Sequence, residues 1–529
     1  MKFNRIMKIK NLSIIIVVSL ILGTLMLPLT LNTSANSTKE PQTSRNYLEP
    51  ISILIYTEYA DTSAGGEYEN TLDAIDTYYG TNYNYDELKN YNNLGSELSG
   101  YDVLLIPEQE TATETEMKTV GQAWSSELSD FANNGGIIIC LDWSGPGNTR
   151  LIYNSSSVMK FNEEATSIIG HTINLNSTSD PLTRGVSNSW TAPNGAVSVN
   201  TTDGTIVVDD GIKPVVVHKS LGEGDIVYCG FDFFNIEGNC STILANAIRL
   251  ARSYTPYVIF DDSHTNEYEI DDELQGFKDD LLGEGFGVLS MDTFSRDVMD
   301  QGDVLVVARA DNDDYYNVSE TDIIEDFVDD GGGLLVCTDY GRFGWELDNI
   351  TERFGIIRNK TASNWIEDSD DYDGSPNHPI FSGENIGGFF DTSYTIQMYW
   401  PTGLETIPSQ AQVLLSSDND NTVTWNSDNS AAKNVPLAVA LEPSSGGRVI
   451  TLTDATFMRS DADADSDGTN DYYEYSNGEF LVDCVIWLSE PSSDLTTTDA
   501  IPGFPFVTVI VTAMASCAVI IIFIYRKRK

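Results

Sequence analysis

Residues 128–145 read LSDFANNGGIIICLDWSG, and residues 324–341 read IEDFVDDGGGLLVCTDYG. The two stretches carry the same plan. An apolar stripe at helical spacing leads into a glycine turn, and a continuously apolar run then ends at an aspartate, Asp142 or Asp339. In the second stretch and the residues just before it, Ile323, Ile324, Phe327 and Val328 share one face of a predicted helix, and the glycines after Asp330 predict a left-handed cap. The runs IIICL and GLLVC are too uniformly apolar for strands with one face in water. They predict strands covered on both faces, as in a parallel sheet.

Matching segments extend outward in unchanged order. YDVLLIP (101–107) answers GDVLVVA (302–308), and DPLTRG from Asp180 answers HPIFSG from His378. GDIVYCGFDFF with ILANAIRLA answers GRVITLTDATF with FLVDCVIWL, after a longer insertion in the second copy. The order predicts a duplicated domain, residues 51–253 and 256–490, with SYTP at the hinge. Strands such as ISILIY and DVLLIP alternate with helical-period segments, which predicts an α/β fold: two tandem doubly wound, mainly parallel sheets with helices on both faces. The polar, irregular stretches 150–205 and 344–401 read as insertions or short antiparallel additions at the edge where open α/β sheets bind ligands.

Of 529 residues, 29 are Lys or Arg and 80 are Asp or Glu, a net charge of −51. That balance excludes a nucleic-acid binder working by phosphate neutralisation. A hydrophobic share of 41% is ample for packed cores. Basic residues gather at both ends. Residues 1–35 read as a signal peptide, with Lys2, Arg5, Lys8 and Lys10 before the uncharged run Leu12 to Leu31, a retained signal anchor being the alternative. Residues 36–50 and 491–503 read as linkers. Residues 504–525 are uncharged and span about 33 Å as a helix, the thickness of a bilayer's hydrocarbon core. The tail RKRK (526–529) places that end in the cytoplasm and the folded part outside the cell membrane. IPGFPF, the apolar run and RKRK together resemble the carboxyl-terminal anchors of archaeal surface proteins of the PGF type. An outside location predicts use of the glycosylation sequons at Asn154, Asn176, Asn200, Asn239, Asn317, Asn349 and Asn359. Cys140, Cys229, Cys240, Cys337 and Cys484 lack the spacing of a disulfide scaffold and read as buried thiols, with room for one bridge in the first half.

The succession of a first strand ending in FDDSHTNEY, a GYDVLLIP-type strand, a helix running into NGGIIICLD or DGGGLLVCTD, a DPL or HPI turn and a final strand and helix resembles class I glutamine-amidotransferase-like domains. It is similar to their non-catalytic branch in gliding-motility, transporter-associated and intraflagellar-transport proteins. Active members of that superfamily carry a G-x-C-x-G elbow and a His-x-Glu pair. Here Cys140 is flanked by Ile139 and Leu141, and Cys337 by Val336 and Thr338, so neither has the glycines a nucleophile elbow requires. His171, His218, His264 and His378 form no metalloprotease pair.

Five residues qualify for the ligand edge. His264, Asp261 and Asp262 follow the first strand of copy two, with Ala60 at the His place in copy one. Asp142 and Asp339 follow the buried runs and suit a helix cap as well as a ligand. A further pattern, DADSDGTNDYYE, has the D-x-D-x-D-G-x5-E register of a calcium loop, with Asp463, Asp465, Asp467, Thr469, Asp471 and Glu474 as ligands and Gly468 at the sharp turn. Other acidic runs, ADNDDYYN and EDSDDYDG, lack that register and read as solvated surface, which a salt-rich habitat would also favour. The chain is therefore expected to be a membrane-tethered, extracellular binding or scaffolding protein for a glycan, peptide or surface-protein partner. The alternatives are a hydrolase or sugar-processing enzyme active around His264, and an accessory subunit of an export complex.

Overall fold

The computed structural model describes residues 48–490, apart from 162–164, 265–267, 310–313, 362–363 and 383–393. The expected signal segment, nearly all of the first linker, the second linker, the apolar run 504–525 with its PGF tripeptide and the RKRK tail lie outside the described residues. Part of ADNDDYYN does too. Among the described residues no helix is long and apolar enough to cross a membrane.

The first repeat runs β1 (Ile51–Tyr56), α1 (Glu67–Tyr79), β2 (Tyr83–Leu88), β3 (Val103–Ile106), α2 (Glu114–Ala123), α3 (Ser125–Asn133), β4 (Ile137–Leu141), α4 (Arg150–Ser156), β5 (Thr172–Leu175), β6 (Ser189–Thr191), β7 (Thr205–Asp209), β8 (Pro214–Leu221), β9 (Gly224–Cys229) and α5 (Gly238–Arg249). The second runs β10 (Tyr257–Asp261), α6 (Gln275–Gly283), β11 (Gly287–Met291), β12 (Val304–Val307), α7 (Val318–Asp329), β13 (Gly333–Cys337), α8 (Trp345–Arg353), β14 (Gln412–Ser416), β15 (Pro436–Leu441), β16 (Arg448–Leu452) and α9 (Asn477–Ser489). Shorter helical turns and strands connect them.

The fold is mixed α/β. The first sheet has the order β2-β1-β3-β4-β9-β8-β7-β5-β6 and the second β11-β10-β12-β13-β16-β15-β14. In each, the first five strands are mutually parallel, and the remainder join antiparallel. The five parallel strands follow the same spatial order in both sheets. Successive residues of one strand feed opposite cores. Ile53, Ile55, Ile137 and Ile139 pack with Ile75 of α1 and Ile243, Leu244 and Ile248 of α5, while Leu54, Tyr56, Ile138 and Cys140 pack with Met117, Leu128 and Ile152 of α2, α3 and α4. The second sheet is covered likewise, by α6 and α9 on one face and α7 and α8 on the other. Alternation across a doubly covered sheet is what makes the strand sequences read as unbroken apolar runs.

The helix-to-strand turn behaves as its sequence predicts. Ile324, Phe327 and Val328 are buried on α7, and Gly331 takes the cap with φ +104°. At the helix start, Asn317 accepts from the backbone N–H groups of Ser319 and Glu320, and Glu320 accepts from the N–H of Asn317, a reciprocal capping box. The irregular stretches do supply antiparallel additions. β5 and β6 widen the first sheet, and the second repeat carries small ladders pairing 357–358 with 404–406, 366–368 with 423–425, and 380–382 with 395–397. The expected room for a bridge in the first half is not used. Cys140, Cys229 and Cys240 are free buried thiols, as are Cys337 and Cys484.

One joint recurs in both sheets. β9 and β16 begin at glycine or directly after it, because a Cβ on Gly224 would sit 2.2 Å from the carbonyl oxygen of Gly136, and one on Gly447 2.2 Å from that of Val328 and 2.4 Å from that of Gly332. Gly447 also holds φ +58°. Gly447→Ala should therefore lower the unfolding free energy by about 1–3 kcal/mol, read as a reduced denaturation midpoint, whereas Gly100→Ala, with open space around its Cβ position, should leave it nearly unchanged.

Candidate functional site

The parallel strands of each repeat end at a row of buried acids. In the first, Asp142 follows β4 and Asp232 follows β9. In the second, Asp339 follows β13 and Asp454 follows β16, and all four are at most 3% exposed. Asp142 is fully engaged: one oxygen accepts from the Arg150 guanidinium and the Tyr228 hydroxyl, each at 2.9 Å, and the other accepts from Thr149 Oγ1 (3.2 Å) and the N–H of Arg150 (3.3 Å). It thus holds the start of α4, the capping role. Asp339 instead pairs with Arg309, at 3.2 Å, and accepts from the N–H of Tyr340. Asp454 accepts from the N–H groups of Tyr399 and Thr456. Burial, with Asp339 adding repulsion, pushes its carboxyl well above the usual range. Burial likewise raises Asp232 to about 6 and Glu108, which follows β3, to about 9. Neighbouring Asp61, Glu67 and Glu110 bring carboxylate oxygens within 4.8 Å of one another. Asp232, Asp454 and this acidic corner were not anticipated, although the aligned segments GFDFF and TDATF held the signal for the first two.

Of the residues expected at the ligand edge of the second repeat, Asp261 and His264 are brought together and Asp262 turns away, accepting from Ser290. His264 Nδ1 lies 3.0 Å from Asp261 Oδ2 and 3.0 Å from Ser263 Oγ, and its Nε2 lies 3.4 Å from Glu320. Ser263 Oγ donates to Asp261, and so does the Tyr316 hydroxyl. The imidazole stacks on Tyr316 with centroids 3.7 Å apart and is 5% exposed. Burial opposes a charged ring, but Asp261 and then Glu320 overcome it and raise the His264 pKa. A serine relay needs one ring nitrogen on the hydroxyl and the other on the carboxylate. Here the same nitrogen faces both, and the serine proton already points at Asp261. The position was also misaligned across repeats. Asp102 and Asp303 receive matching bonds from the N–H groups of Ser52 and Tyr257, which sets Tyr59, not Ala60, opposite His264.

The insertion of the second repeat closes over this edge. Trp365 and Trp400 pack on Tyr340, directly after Asp339, and Tyr399 donates its backbone N–H to Asp454. His378 is buried against Tyr399 and Trp400, and burial lowers its pKa.

The acidic loop 463–474 lies between β16 and α9, with one 3₁₀ turn ahead of it at Thr456–Met458 and another within its end at Asp471–Tyr473. Asp463 accepts from the N–H groups of Asp467 (3.1 Å) and Gly468 (3.0 Å), and Gly468 turns at φ +103°. Thr469 donates its N–H to Asp467. Asp471 accepts from Ala464 N–H at 2.8 Å, and Glu474 accepts from the Tyr399 hydroxyl at 2.6 Å. Burial pushes both carboxyls up to about 7. Asp373, which the sequence pattern does not include, brings a carboxylate oxygen within 4.8 Å of those of Asp465 and Asp467.

No family model matches the chain, and no curated protein matches it. Among solved structures, the mmIFT52 N-terminal domain is similar at 14% identity, covering 46% of this chain and 99% of that one, with a TM-score of 0.36. A ThuA-like protein from Bacteroides uniformis is similar at 15% identity over 41% and 95% of the two chains, with a TM-score of 0.28. A beta-galactosidase from Bacillus circulans is similar at 14% identity over 38% and 30%, with a TM-score of 0.27.

His218 offers a direct test of the electrostatics. It bridges Asp180 (2.9 Å) and Asp225 (3.0 Å), which outweigh its burial and raise its pKa to about 9. Because the folded value exceeds the unfolded one, its contribution is complete below about pH 6.5 and is lost as pH rises through 9. His218→Gln should thus be clearly less stable than wild type at pH 6 and close to it at pH 10, by chemical denaturation. Arg150→Met, which leaves Asp142 charged and buried, should cost about 3–5 kcal/mol in the same measurement at pH 7.

Proposed function

We propose that the chain is a membrane-anchored, extracellular binding or scaffolding protein whose two amidotransferase-like repeats act as architecture rather than as catalysts. The observation that carries this reading is at the strand ends. Cys140 and Cys337, which stand at the ends of the buried runs, are wholly inaccessible. Burial pushes both thiols upward, away from the thiolate a nucleophile needs. Cys140 is further committed as a donor to Thr149. In the second repeat the insertion covers the edge where a substrate would enter, and His264 is held on both nitrogens by carboxylates. What remains for a partner is the exposed loop surface, rich in Asp, Asn and Tyr, which suits polar ligands such as glycans or peptides.

Incubation of the native full-length protein with a diazo-ketone glutamine analogue should give no mass adduct on either cysteine, and iodoacetamide should label them only after unfolding in guanidinium. A stoichiometric native adduct on Cys140 or Cys337 would overturn the proposal. Capture on a glycan or peptide array by protein held in nanodiscs is the positive counterpart.

A further inference from the structure

We propose that loop 463–474 and Asp373 together form a calcium site, and that the ion fastens the insertion of the second repeat to the segment leading into α9. The twelve-residue pattern alone describes a self-contained loop. The structure adds a carboxylate from elsewhere: Asp373 lies about ninety residues upstream in the insertion, and its oxygens approach those of Asp465 and Asp467 within 4.8 Å. This approach is built. Gly374 takes φ +72°, and a Cβ there would come within 3.1 Å of the Asp465 Cβ. The Tyr475 hydroxyl holds Asp373 Oδ2 at 2.8 Å from the far side of the loop.

An acidic cluster of this kind occurs on many surfaces without an ion. What distinguishes this one is a set of buried, unpaired oxygens on residues of the same loop and insertion. Asp471 is 0% exposed and its Oδ2 has no partner, although its Oδ1 is bound by the loop's own Ala464 N–H. Glu474 is 4% exposed and its Oε1 has no partner, although its Oε2 is held by Tyr399. Gln397, also wholly buried and again from the insertion, donates its amide to Asp465 Oδ2 at 2.9 Å and leaves its carbonyl oxygen unpaired. Buried oxygens without donors are costly, and a shared cation satisfies several at once. Among the described residues no lysine or arginine forms an ion pair with Asp373, Asp463, Asp465, Asp467, Asp471 or Glu474, and the nearby Arg459 pairs with Asp461 instead. An all-oxygen set of carboxylates and an amide carbonyl around a glycine turn matches calcium, whose shell is large and irregular, better than magnesium, which keeps water and demands an octahedron.

The test uses the full-length protein in detergent, stripped with chelator and titrated with calcium chloride by calorimetry, with thermal unfolding in parallel. Asp467 is exposed, so Asp467→Asn should fold normally, as judged by circular dichroism. We expect wild type to bind one calcium ion and to gain thermal stability from it. Asp373→Asn and Asp467→Asn should each weaken binding by roughly tenfold or more and shrink the thermal gain, while Asp420→Asn, in a separate acidic group, should change neither. Absence of calcium binding by wild type, or equal affinity in both site variants, would overturn the site. Loss in Asp467→Asn with full affinity in Asp373→Asn would overturn the fastening role. Magnesium binding as tight as calcium would overturn the choice of ion.

Discussion

The constraint on which the sheets depend is a close approach of backbone to backbone, where β9 and β16 slide in beside the glycine turns that end α3 and α7. Only a glycine at 224 and 447 permits it, and everything downstream depends on that proximity. Once β9 lies parallel to β4, and β16 to β13, the residues just past their ends are forced into one row. Asp142 then faces Asp232, and Asp339 faces Asp454, at the place where an open parallel sheet presents its chemistry. The same joint delivers α5 and α9 to the sheet and so seals the second core.

Much of this was written in the residue pattern. The repeat of glycine turn, apolar run and terminal aspartate identified the parallel strands, and helix-period stripes identified their covers. The acidic register 463–474 marked a loop that the chain does turn around Gly468. What was not legible depended on neighbours distant in sequence. Asp142 and Asp339 occupy one position but take their arginines from different places, Arg150 at the start of α4 and Arg309 two residues past β12, and no periodicity encodes that exchange. His264 looked available because its own segment is polar. It is shut in by Tyr316 and Glu320, which arrive with α7. Asp373 and Gln397 sit in an irregular insertion whose path follows from tertiary contacts alone.

The two repeats therefore share a scaffold and differ in how its exposed end is closed. In the first, Arg150 and Tyr228 hold Asp142 from within, leaving Asp232, Glu108 and an acidic corner without a basic partner among the described residues. In the second, Trp365, Tyr399 and Trp400 lay an aromatic roof across it. Duplicated backbone geometry has been combined with two unlike solutions to one electrostatic problem, a cluster of carboxylates drawn out of water by the sheet that carries them.

The five buried cysteines extend this logic to chemistry with the surroundings. Every one lies in an apolar interior as a protonated sulfhydryl, and oxidants act on thiolates they can reach. Among the described residues, therefore, no thiol is open to oxidants while the fold is intact. The described fold holds together without a covalent cross-link, so moving between reducing and oxidising surroundings leaves these five sulfurs as they are.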